Sequence, residues 1–221
     1  MKLNKMIDHT LLKQDSTEAQ IKKLCVEAKE FDFATVCVNP TWIALCKKEL
    51  AQTDVGVCTV IGFPLGAMTQ ATKVFEAHNA IELGADEVDM VLNIADVKDN
   101  RMDKVVEEIV KVKEAVGSHV LKVIIETCLL TVEEKRRAIQ AVMDGQADFV
   151  KTSTGFSTSG ATIEDVELMK EVTNGKIQIK AAGGVRTQED LHKMIQAGAT
   201  RIGTSSGCAL LQGEKIKNSE Y

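Results

Sequence analysis

Prolines are scarce in this sequence, and no segment of it resembles a linker. Only 2 of its 221 residues are proline, whereas 44% are hydrophobic and 27% are charged. This balance is typical of a globular protein with an ample core and excludes a disordered or fibrous chain. No low-complexity stretch or charge run divides the chain. We therefore expect a single domain over residues 1–221, with a short mobile tail over about 213–221.

An excess of positive charge and a long apolar run are both missing. The chain has 27 lysines and arginines against 32 aspartates and glutamates, and this net charge of -5 argues against a nucleic-acid partner. The amino terminus, MKLNKMIDHTLLKQD, has no apolar core of signal-peptide length. No later apolar run reaches the roughly 18 residues that span a bilayer. We expect a cytoplasmic protein without a membrane partner.

Paired cysteine motifs are absent as well. Six cysteines stand at positions 25, 37, 46, 58, 128 and 208, with no C-x-x-C pair and no histidine beside them at zinc-ligand spacing. Such cysteines are free thiols in a reducing compartment, and most of these lie within apolar runs as small buried residues. The cysteine pattern therefore predicts neither a disulfide framework nor a metal site.

What the sequence does contain is a repeated unit. A stretch with apolar residues at helical spacing is followed by a glycine and then by a short apolar or β-branched run. The clearest copies are AHNAIELGADEVDMVLN, AIQAVMDGQADFVKTS and MIQAGATRIGTSS. Their glycines, Gly84, Gly145 and Gly198, are predicted to adopt the left-handed conformation that ends a helix.

The repeated unit predicts eight strands that alternate with helices. Capping-box spacing marks helix starts at Thr17, Thr131 and Thr187. We place strands near residues 7–10, 35–39, 57–61, 87–92, 120–126, 149–151, 177–181 and 201–203. We place helices near residues 16–28, 41–50, 69–83, 101–116, 131–144, 162–173 and 187–197, with a short last one near 206–212.

Strict alternation implies parallel strands joined by crossover helices. Strands such as VLKVII, which are apolar on successive residues, are typical of a sheet covered on both faces. Eight units close most economically into a single (β/α)8 TIM barrel. The first strand has the weakest signal, and without it seven strands would form an open doubly wound sheet.

Two lysines and an acid occupy the strands where a barrel of this type carries its chemistry, near the carboxyl ends. Lys151 closes the sixth strand in ADFVKTSTGF, Lys180 ends the alternation KIQIK of the seventh, and Asp89 lies within EVDMV of the fourth. Side chains alternate along a strand, so Lys151 shares a face with Phe149 and leaves Val150 to the helix layer. We expect both lysines to point into the barrel mouth.

Two inward ammonium groups on neighbouring strands, which lie about 4.8 Å apart, repel each other. In a partly dry site this repulsion lowers the pKa of at least one of the lysines toward neutrality. A neutral amine attacks an aldehyde to form an imine, while Asp89 can hold a water or pass a proton. Alternatively, both lysines reach into solvent or pair with carboxylates such as Asp89 and Glu126. The combination with a neighbouring anion site favours the catalytic interpretation.

That anion site is predicted in the loops after strands seven and eight, AAGGVR (181–186) and GTSSG (203–207). Glycines allow close backbone approach and leave N–H groups free for a phosphate, and the two serines could open a helix whose positive end faces it. Phosphate sites formed by these two loops recur in TIM barrels. Each glycine pair alone would also fit a simple tight turn. Thr154 and Gly155 are further candidate contacts.

Other polar positions carry weaker signals. His9, with Asp8 and Thr10 in IDHT, ends the first strand and could line the site, although polar plugs at barrel ends are equally common. Cys37 ends the second strand, where an inert buried thiol is the default interpretation. The loop GFPLG (62–66) is expected to shape a pocket wall.

The motifs IDHTLL, GFPLG, GADEVDMVLN, VIIETCLL, ADFVKTSTGF, IKAAGGVRT and RIGTSS, in this order, resemble the deoxyribose-phosphate aldolase family. The resemblance covers roughly residues 6 to 211. It implies a metal-independent class I aldolase, with no cofactor, that reversibly splits 2-deoxy-D-ribose 5-phosphate into acetaldehyde and D-glyceraldehyde 3-phosphate. It also implies a role in deoxynucleoside catabolism and, because family members are often dimers, a homodimer.

The same resemblance implies a role for each matching residue. Lys151 would form the imine, Lys180 would lower the pKa of its partner and aid proton transfer, and Asp89 would be the acid. The carboxyl-terminal Tyr221 has a counterpart in the family, although the tail before it does not match. The implied phosphate contacts are Gly155, Gly183, Gly184, Gly203, Ser205 and Ser206.

Two alternatives stay open at the level of sequence. Another phosphosugar-binding barrel, such as a different imine-forming aldolase or a phosphosugar synthase, would share the phosphate loops without this substrate. A non-catalytic barrel that senses a sugar phosphate and contacts another protein belongs to a different class. Borohydride trapping with acetaldehyde separates the catalytic proposal from the sensor, which would form no covalent adduct.

Overall fold

The computed structural model describes residues 2–213, in which eight strands alternate with nine α-helices. The predicted tail from residue 214 onward and Tyr221 lie outside the described residues. The strands are β1 (Ile7–Leu11), β2 (Thr35–Val38), β3 (Gly56–Ile61), β4 (Glu87–Val91), β5 (Val120–Ile124), β6 (Phe149–Lys151), β7 (Gln178–Ala182) and β8 (Arg201–Thr204). Each lies within two residues of its predicted bounds.

The strands form one closed parallel barrel in sequence order. The first strand pairs on one side with β2 and on the other with β8, where Ile7 is opposite Ile202. The predicted (β/α)8 TIM barrel is therefore confirmed, and the open doubly wound alternative is wrong because β1 forms and closes the sheet. Whether the domain extends over all of residues 1–221 stays a prediction.

Helices cover the outside of the barrel. They are α1 (Glu18–Glu30), α2 (Ile43–Glu49), α3 (Gln70–Glu82), α4 (Ile94–Lys98), α5 (Met102–Val116), α6 (Val132–Asp144), α7 (Ile163–Thr173), α8 (Gln188–Ala197) and α9 (Gly207–Gln212), with short 3-10 helices at Leu3–Met6, Pro40–Trp42 and Thr127–Leu129. Helix α4 was not predicted, because it is only five residues long; it begins where Asn93 Oδ1 accepts hydrogen bonds from the backbone N–H groups of Ala95 and Asp96.

The predicted helix starts are confirmed. Thr17, Thr131 and Thr187 each accept a hydrogen bond from the third helical N–H, and the side chain at that position bonds back to the threonine N–H. This reciprocal capping box satisfies two of the backbone donors that a helix start would otherwise leave unpaired.

The glycine predictions hold at two positions and fail at one. Gly84 has a φ of 102° and Gly198 a φ of 131°, as expected for helix stops. Gly145 instead keeps a φ of -76°, and the following Gln146 takes the left-handed conformation at 60°. A Cβ at Gly145 would lie 2.4 Å from Ile109 Cγ2, so this position requires glycine for close contact between α6 and α5 rather than for its φ.

The apolar core lies between the strands and the helices. Outward-facing strand residues such as Val150 and Ile179 are buried there, as predicted from the side-chain alternation. Inward-facing positions are largely polar or charged, and most of these side chains are fully buried. Within residues 2–213, no helix combines the length and the apolar character that crossing a membrane requires.

Candidate active site

Lys151, Lys180 and Asp89 come together inside the barrel. The two lysines lie directly opposite each other in the register of β6 and β7. The Nζ atom of each lies 2.8 Å from the same oxygen, Oδ2 of Asp89, which is fully buried. The structure thus confirms that both lysine side chains point inward, and it adds that they share one carboxylate oxygen.

The other oxygen of Asp89 is held by residues that the sequence reading missed. Lys122 on β5 donates a hydrogen bond to Oδ1 over 2.7 Å, and the Cys58 thiol on β3 lies 3.2 Å from the same atom. Lys122 also pairs with Glu87 at 2.6 Å. A completely buried lysine in VLKVII was read as part of an apolar run, although its place opposite Asp89 in the register puts it on the inward face.

A second acid lies on the other side of Lys180. Asp8 on β1 forms an ion pair with Lys180 and accepts a hydrogen bond from Arg201 of β8 over 2.6 Å. Arg201 in turn reaches Glu87 at 3.0 Å. Asp8, which had only a weak signal in the sequence, is therefore a direct contact of the site. The barrel interior holds a continuous network in which four cations contact three carboxylates.

The pKa of each aspartate in this network depends on how many opposite charges contact it. Burial by itself raises the pKa of Asp89, but the charges of Lys122, Lys151 and Lys180 outweigh it and hold that pKa well below the usual range. For Asp8, the lysine and arginine neighbours outweigh burial in the same way and lower the pKa. Both carboxylates are ionised at any physiological pH.

The pKa values of the buried lysines Lys180 and Lys122 are shifted upward. Burial lowers the pKa of Lys180, but Asp8 and Asp89 outweigh it, so the pKa lies above the ordinary value. The pKa of Lys122 is raised well above its ordinary value because Asp89 and other anionic neighbours outweigh burial. If one amine of the expected pair is neutral, it is therefore not that of Lys180, which is a fixed cation.

The loop after β7 is built on consecutive glycines. Gly183 and Gly184 both have left-handed backbones, with φ values of 75° and 81°. Gly183 also packs directly on the loop after β6, because a Cβ at Gly160 would lie only 2.5 Å from its carbonyl carbon. The backbone conformation and packing of this loop therefore require glycine, in addition to the predicted phosphate contact.

The remaining predicted phosphate residues lie at the carboxyl ends of β6 and β8. Ser205 is exposed and Ser206 half-buried, directly before α9, and the N–H of Ser206 donates to Thr204 Oγ1 over 3.1 Å. Gly203 makes room for the active-site lysine, since a Cβ there would lie 3.1 Å from Lys180 Cε. Gly155 follows β6 with a φ of 87°.

Glu126 stabilises the β6 loop and does not pair with the lysines. Its carboxylate accepts hydrogen bonds from Thr154, from Oγ1 at 2.5 Å and from the backbone N–H at 3.2 Å. The Glu126 backbone is left-handed, with a φ of 49°, which turns its side chain from β5 toward this loop. Of the alternative in which the lysines pair with carboxylates, the pairing with Asp89 is confirmed, and the pairing with Glu126 is wrong because its oxygens are bonded to Thr154.

Two clefts open near the carboxyl ends of the strands, and Phe156 borders both. One of about 440 Å³ is lined by Phe63 and Pro64 of the GFPLG loop, as expected for a pocket wall. The other, of about 100 Å³, is lined by Glu126 and Thr154. A larger cleft of about 880 Å³ lies at the amino end of β7, away from the lysines, and contains none of the predicted site residues.

The weaker candidates divide between the two faces of the sheet. Thr10 donates to the Asp8 carbonyl, and Cys37 is buried opposite Cys58 in the register of β2 and β3. The hydrogen bond from Cys58 lowers the pKa of Cys37. His9 does not line the barrel interior, because its Nε2 lies 2.8 Å from Glu27 of α1 in the outer layer.

Comparison with known proteins identifies relatives over the whole chain. The family model for DeoC/LacD family aldolases matches residues 2–213. The chain is 59% identical to deoxyribose-phosphate aldolase 1 of Mesoplasma florum over 221 residues, which is the full length of both proteins. It is 60% identical to the deoxyribose-phosphate aldolase of Geobacillus sp. over 218 residues, covering 98% of this chain and 97% of that protein.

Solved structures agree with these sequence relatives. A putative deoxyribose-phosphate aldolase from Coccidioides immitis superposes with a TM-score of 0.94 at 43% identity, covering 95% of this chain and 84% of the other. The deoxyribose phosphate aldolase from Aeropyrum pernix, described as a unique tetramer, superposes with a TM-score of 0.87 at 31% identity, covering 95% and 89%. The chain belongs to the DeoC/LacD family of aldolases.

Proposed function

We propose that this chain is a class I deoxyribose-phosphate aldolase, which reversibly cleaves 2-deoxy-D-ribose 5-phosphate into acetaldehyde and D-glyceraldehyde 3-phosphate in deoxynucleoside catabolism. The named relatives support this substrate at 59% and 60% identity. One observation carries the proposal: the Nζ atoms of Lys151 and Lys180 lie 2.8 Å from a single oxygen of Asp89.

Lys151 is the nucleophile in this proposal. Its nitrogen lone pair forms a bond to the aldehyde carbon of the open-chain sugar, and the carbonyl oxygen takes up protons and leaves as water. The resulting protonated imine withdraws electrons from the bond between the second and third carbons. When that bond breaks, the hydroxyl on the third carbon loses its proton, glyceraldehyde 3-phosphate leaves, and an enamine remains on Lys151.

Asp89 transfers protons in this proposal, and Lys180 supplies a fixed positive charge beside it. Because three ammonium groups keep Asp89 ionised, it does not store a proton at rest but passes one transiently between Lys151 and a bound water. Lys180 is a fixed cation that disfavours a second positive charge beside it. Protonation of the enamine carbon and hydrolysis of the imine then release acetaldehyde and restore the free amine.

The substrate phosphate is proposed to lie at the loops after β7 and β8. Two consecutive left-handed glycines, Gly183 and Gly184, keep the backbone open there, and the exposed Ser205 and the half-buried Ser206 follow the next strand. Gly155 would complete the site from the β6 loop, and Gly203 would contribute by admitting Lys180. Cytoplasmic localisation and assembly into a homodimer also stay predictions.

Reductive trapping tests the nucleophile. Incubation with acetaldehyde and borohydride should attach an ethyl group to Lys151, which peptide mass spectrometry locates. Lys151→Leu should abolish both the adduct and turnover while circular dichroism and a cooperative thermal transition show a folded barrel. The matched control Lys176→Leu removes an exposed lysine and should keep both. Retained cleavage in Lys151→Leu, or an adduct located on Lys180, would contradict the assignment.

The phosphate site is tested separately. Ser206→Glu places a carboxylate where the phosphate is proposed to bind, so like-charge repulsion should raise KM for 2-deoxy-D-ribose 5-phosphate by about tenfold or more. Activity on the unphosphorylated sugar should change little. If the preference for the phosphorylated sugar is unchanged, Ser206 does not contact the phosphate.

A further inference from the structure

Three potential ligand residues meet outside the barrel, at a place that the proposed chemistry does not use. His9 of β1, Glu27 of α1 and Cys208 of α9 bring a ring nitrogen, a carboxylate oxygen and a sulfur within 4.8 Å of one another. Because the neighbouring Asp8 points into the barrel, His9 points outward, where it contacts Phe33 and Glu27. Nothing in the linear spacing of these residues predicts their meeting.

Local charge distinguishes this cluster from the other two groups of such residues in the described part of the chain. Those two lie inside the barrel, and their carboxylates already contact Lys122, Lys151, Lys180 or Arg201, whose charges repel a metal cation. Within residues 2–213, the outer cluster has a single cationic contact, Lys23, with its Nζ 3.7 Å from Glu27. The Lys23 side chain is 76% exposed, so it can move away at little cost.

The hydrogen bonds of the described fold account for only one ring nitrogen of His9, because Nε2 lies 2.8 Å from Glu27. His9 is only 2% exposed, and its Nδ1 has no hydrogen-bond partner within residues 2–213. A Cβ on Gly207, the residue before Cys208, would lie 3.2 Å from this nitrogen, so the ring faces the start of α9. A buried, unpaired imidazole nitrogen is uncommon and indicates a missing partner.

The surroundings favour an incoming cation. The carboxylates of Glu27 and Glu30 place negative charge near the Cys208 sulfur. The same negative charges attract a metal ion, which would displace the thiol proton as it binds. A cleft of about 240 Å³, lined by His9, Glu27 and Ser205 among others, provides access and room for a water ligand.

The donor set selects the type of metal. Nitrogen, oxygen and sulfur ligands together suit Zn²⁺ or Co²⁺ rather than Mg²⁺ or Ca²⁺, which prefer oxygen alone. Bonds of about 2.0–2.3 Å to a tetrahedral zinc ion require the three donors to move slightly closer. Cys208 is half-buried on a six-residue helix near the end of the described chain.

We propose that His9, Glu27 and Cys208 form a binding site for Zn²⁺ or a similar borderline-soft divalent cation, with water as the fourth ligand. The ion would join β1, α1 and α9 on the outside of the barrel. It takes no part in the imine chemistry, although its access cleft shares Ser205 with the proposed phosphate site.

Cobalt provides a direct spectroscopic test on the full-length chain. Co²⁺ should give a thiolate-to-metal charge-transfer band and tetrahedral d–d bands, and Zn²⁺ should displace it at about one ion per chain. Cys208→Ser should lose the charge-transfer band. Glu27→Gln should weaken Zn²⁺ binding by about tenfold or more. The matched control Cys128→Ser, which removes the other half-buried thiol, should bind like the wild type.

Thermal unfolding provides a second readout that does not depend on enzyme activity. Zn²⁺ should raise the Tm of the wild type and of Cys128→Ser but not of Cys208→Ser, because an ion that binds only the folded state stabilises it. The proposal is overturned if the wild type gives no thiolate band, if Cys208→Ser keeps the band and the full Zn²⁺ affinity, or if the band is lost in Cys128→Ser.

Discussion

Two regions of the molecule bury lysines beside carboxylates, with opposite electrostatic results. In the helix layer, Lys73 of α3 pairs with Glu108 of α5 at 2.8 Å, and both side chains are almost completely buried. Burial prevails over this single partner, so the pKa of Lys73 is lowered and that of Glu108 is raised. In the barrel, Asp89 is equally buried but contacts three ammonium groups, and its pKa falls well below the usual range.

The comparison shows that the number of counter-charges, not burial alone, decides whether an interior group stays ionised. One partner does not recover the cost of removing two charges from water, whereas several partners around one carboxylate do. In the helix layer, burial therefore shifts the pKa values of both groups in the direction of their neutral forms. The barrel network holds its carboxylates and Lys180 charged, and this fixed charge is what a neighbouring nucleophilic amine requires.

The largest expected effect comes from removing the centre of the barrel network. Asp89→Asn keeps the shape of the side chain but leaves Lys122, Lys151 and Lys180 without their shared anion. We expect kcat to fall by about 10²–10⁴-fold, as for loss of a proton-transfer group. We also expect a loss of roughly 3–5 kcal/mol in the free energy of unfolding, because buried charges lose their partner.

Steady-state kinetics and urea unfolding measure these two effects. Asp54→Asn, which removes an exposed carboxylate, is the control and should change neither quantity appreciably. Turnover in Asp89→Asn within about tenfold of the wild type would mean that a carboxylate at this position is not needed for proton transfer.

A smaller effect is expected in the helix layer. Glu108→Gln leaves the Lys73 amine buried without an anionic partner and should cost about 2–3 kcal/mol in the free energy of unfolding. The double replacement Lys73→Met with Glu108→Leu removes both charges and keeps a similar volume. It should unfold within about 1–2 kcal/mol of the wild type.

Neither variant touches the barrel interior, so kcat should stay within about twofold of the wild type in both. Urea midpoints of the wild type, Glu108→Gln and the double variant measure the stability differences, and steady-state kinetics of the same proteins measure kcat. If the double variant is destabilised as much as Glu108→Gln, the helix-layer pair stabilises the fold as the barrel network does, and the contrast between the two regions is lost.

The fold was readable from the sequence because its signals are local. Capping threonines, stop glycines and apolar runs predicted every strand within two residues of its bounds. The failures have local causes too. Helix α4 is too short for a periodic pattern, and Gly145 is required by the contact with Ile109 rather than by its φ, which only the packed structure reveals.

The site was predictable only in part. Lys151, Lys180 and Asp89 stand at strand positions where a polar residue breaks an apolar pattern, so their convergence followed from the fold. Lys122 was missed because it lies within the apolar run VLKVII, although its register opposite Asp89 puts it on the inward face, and Glu87 was missed because its role depends on pairing with Lys122.

The smallest expected effect is a difference in the pH dependence of stability. The pKa of Glu108 is raised in the folded chain, so as the pH falls from 7 through that pKa the folded state takes up a proton before the unfolded state does. Protonation therefore favours folding in this window. Asp8 and Asp89, whose folded pKa values are lowered, lose their contribution only below the unfolded value of about 4.

Between pH 7 and about 4.5, the wild type should therefore gain stability relative to the variant that carries Lys73→Met with Glu108→Leu, since the two proteins share every other titrating group. Urea midpoints of both proteins across this range measure the difference. An opposite slope would mean that Glu108 is held ionised by Lys73 alone, and that a single counter-charge is enough to do in the helix layer what three ammonium groups do for Asp89.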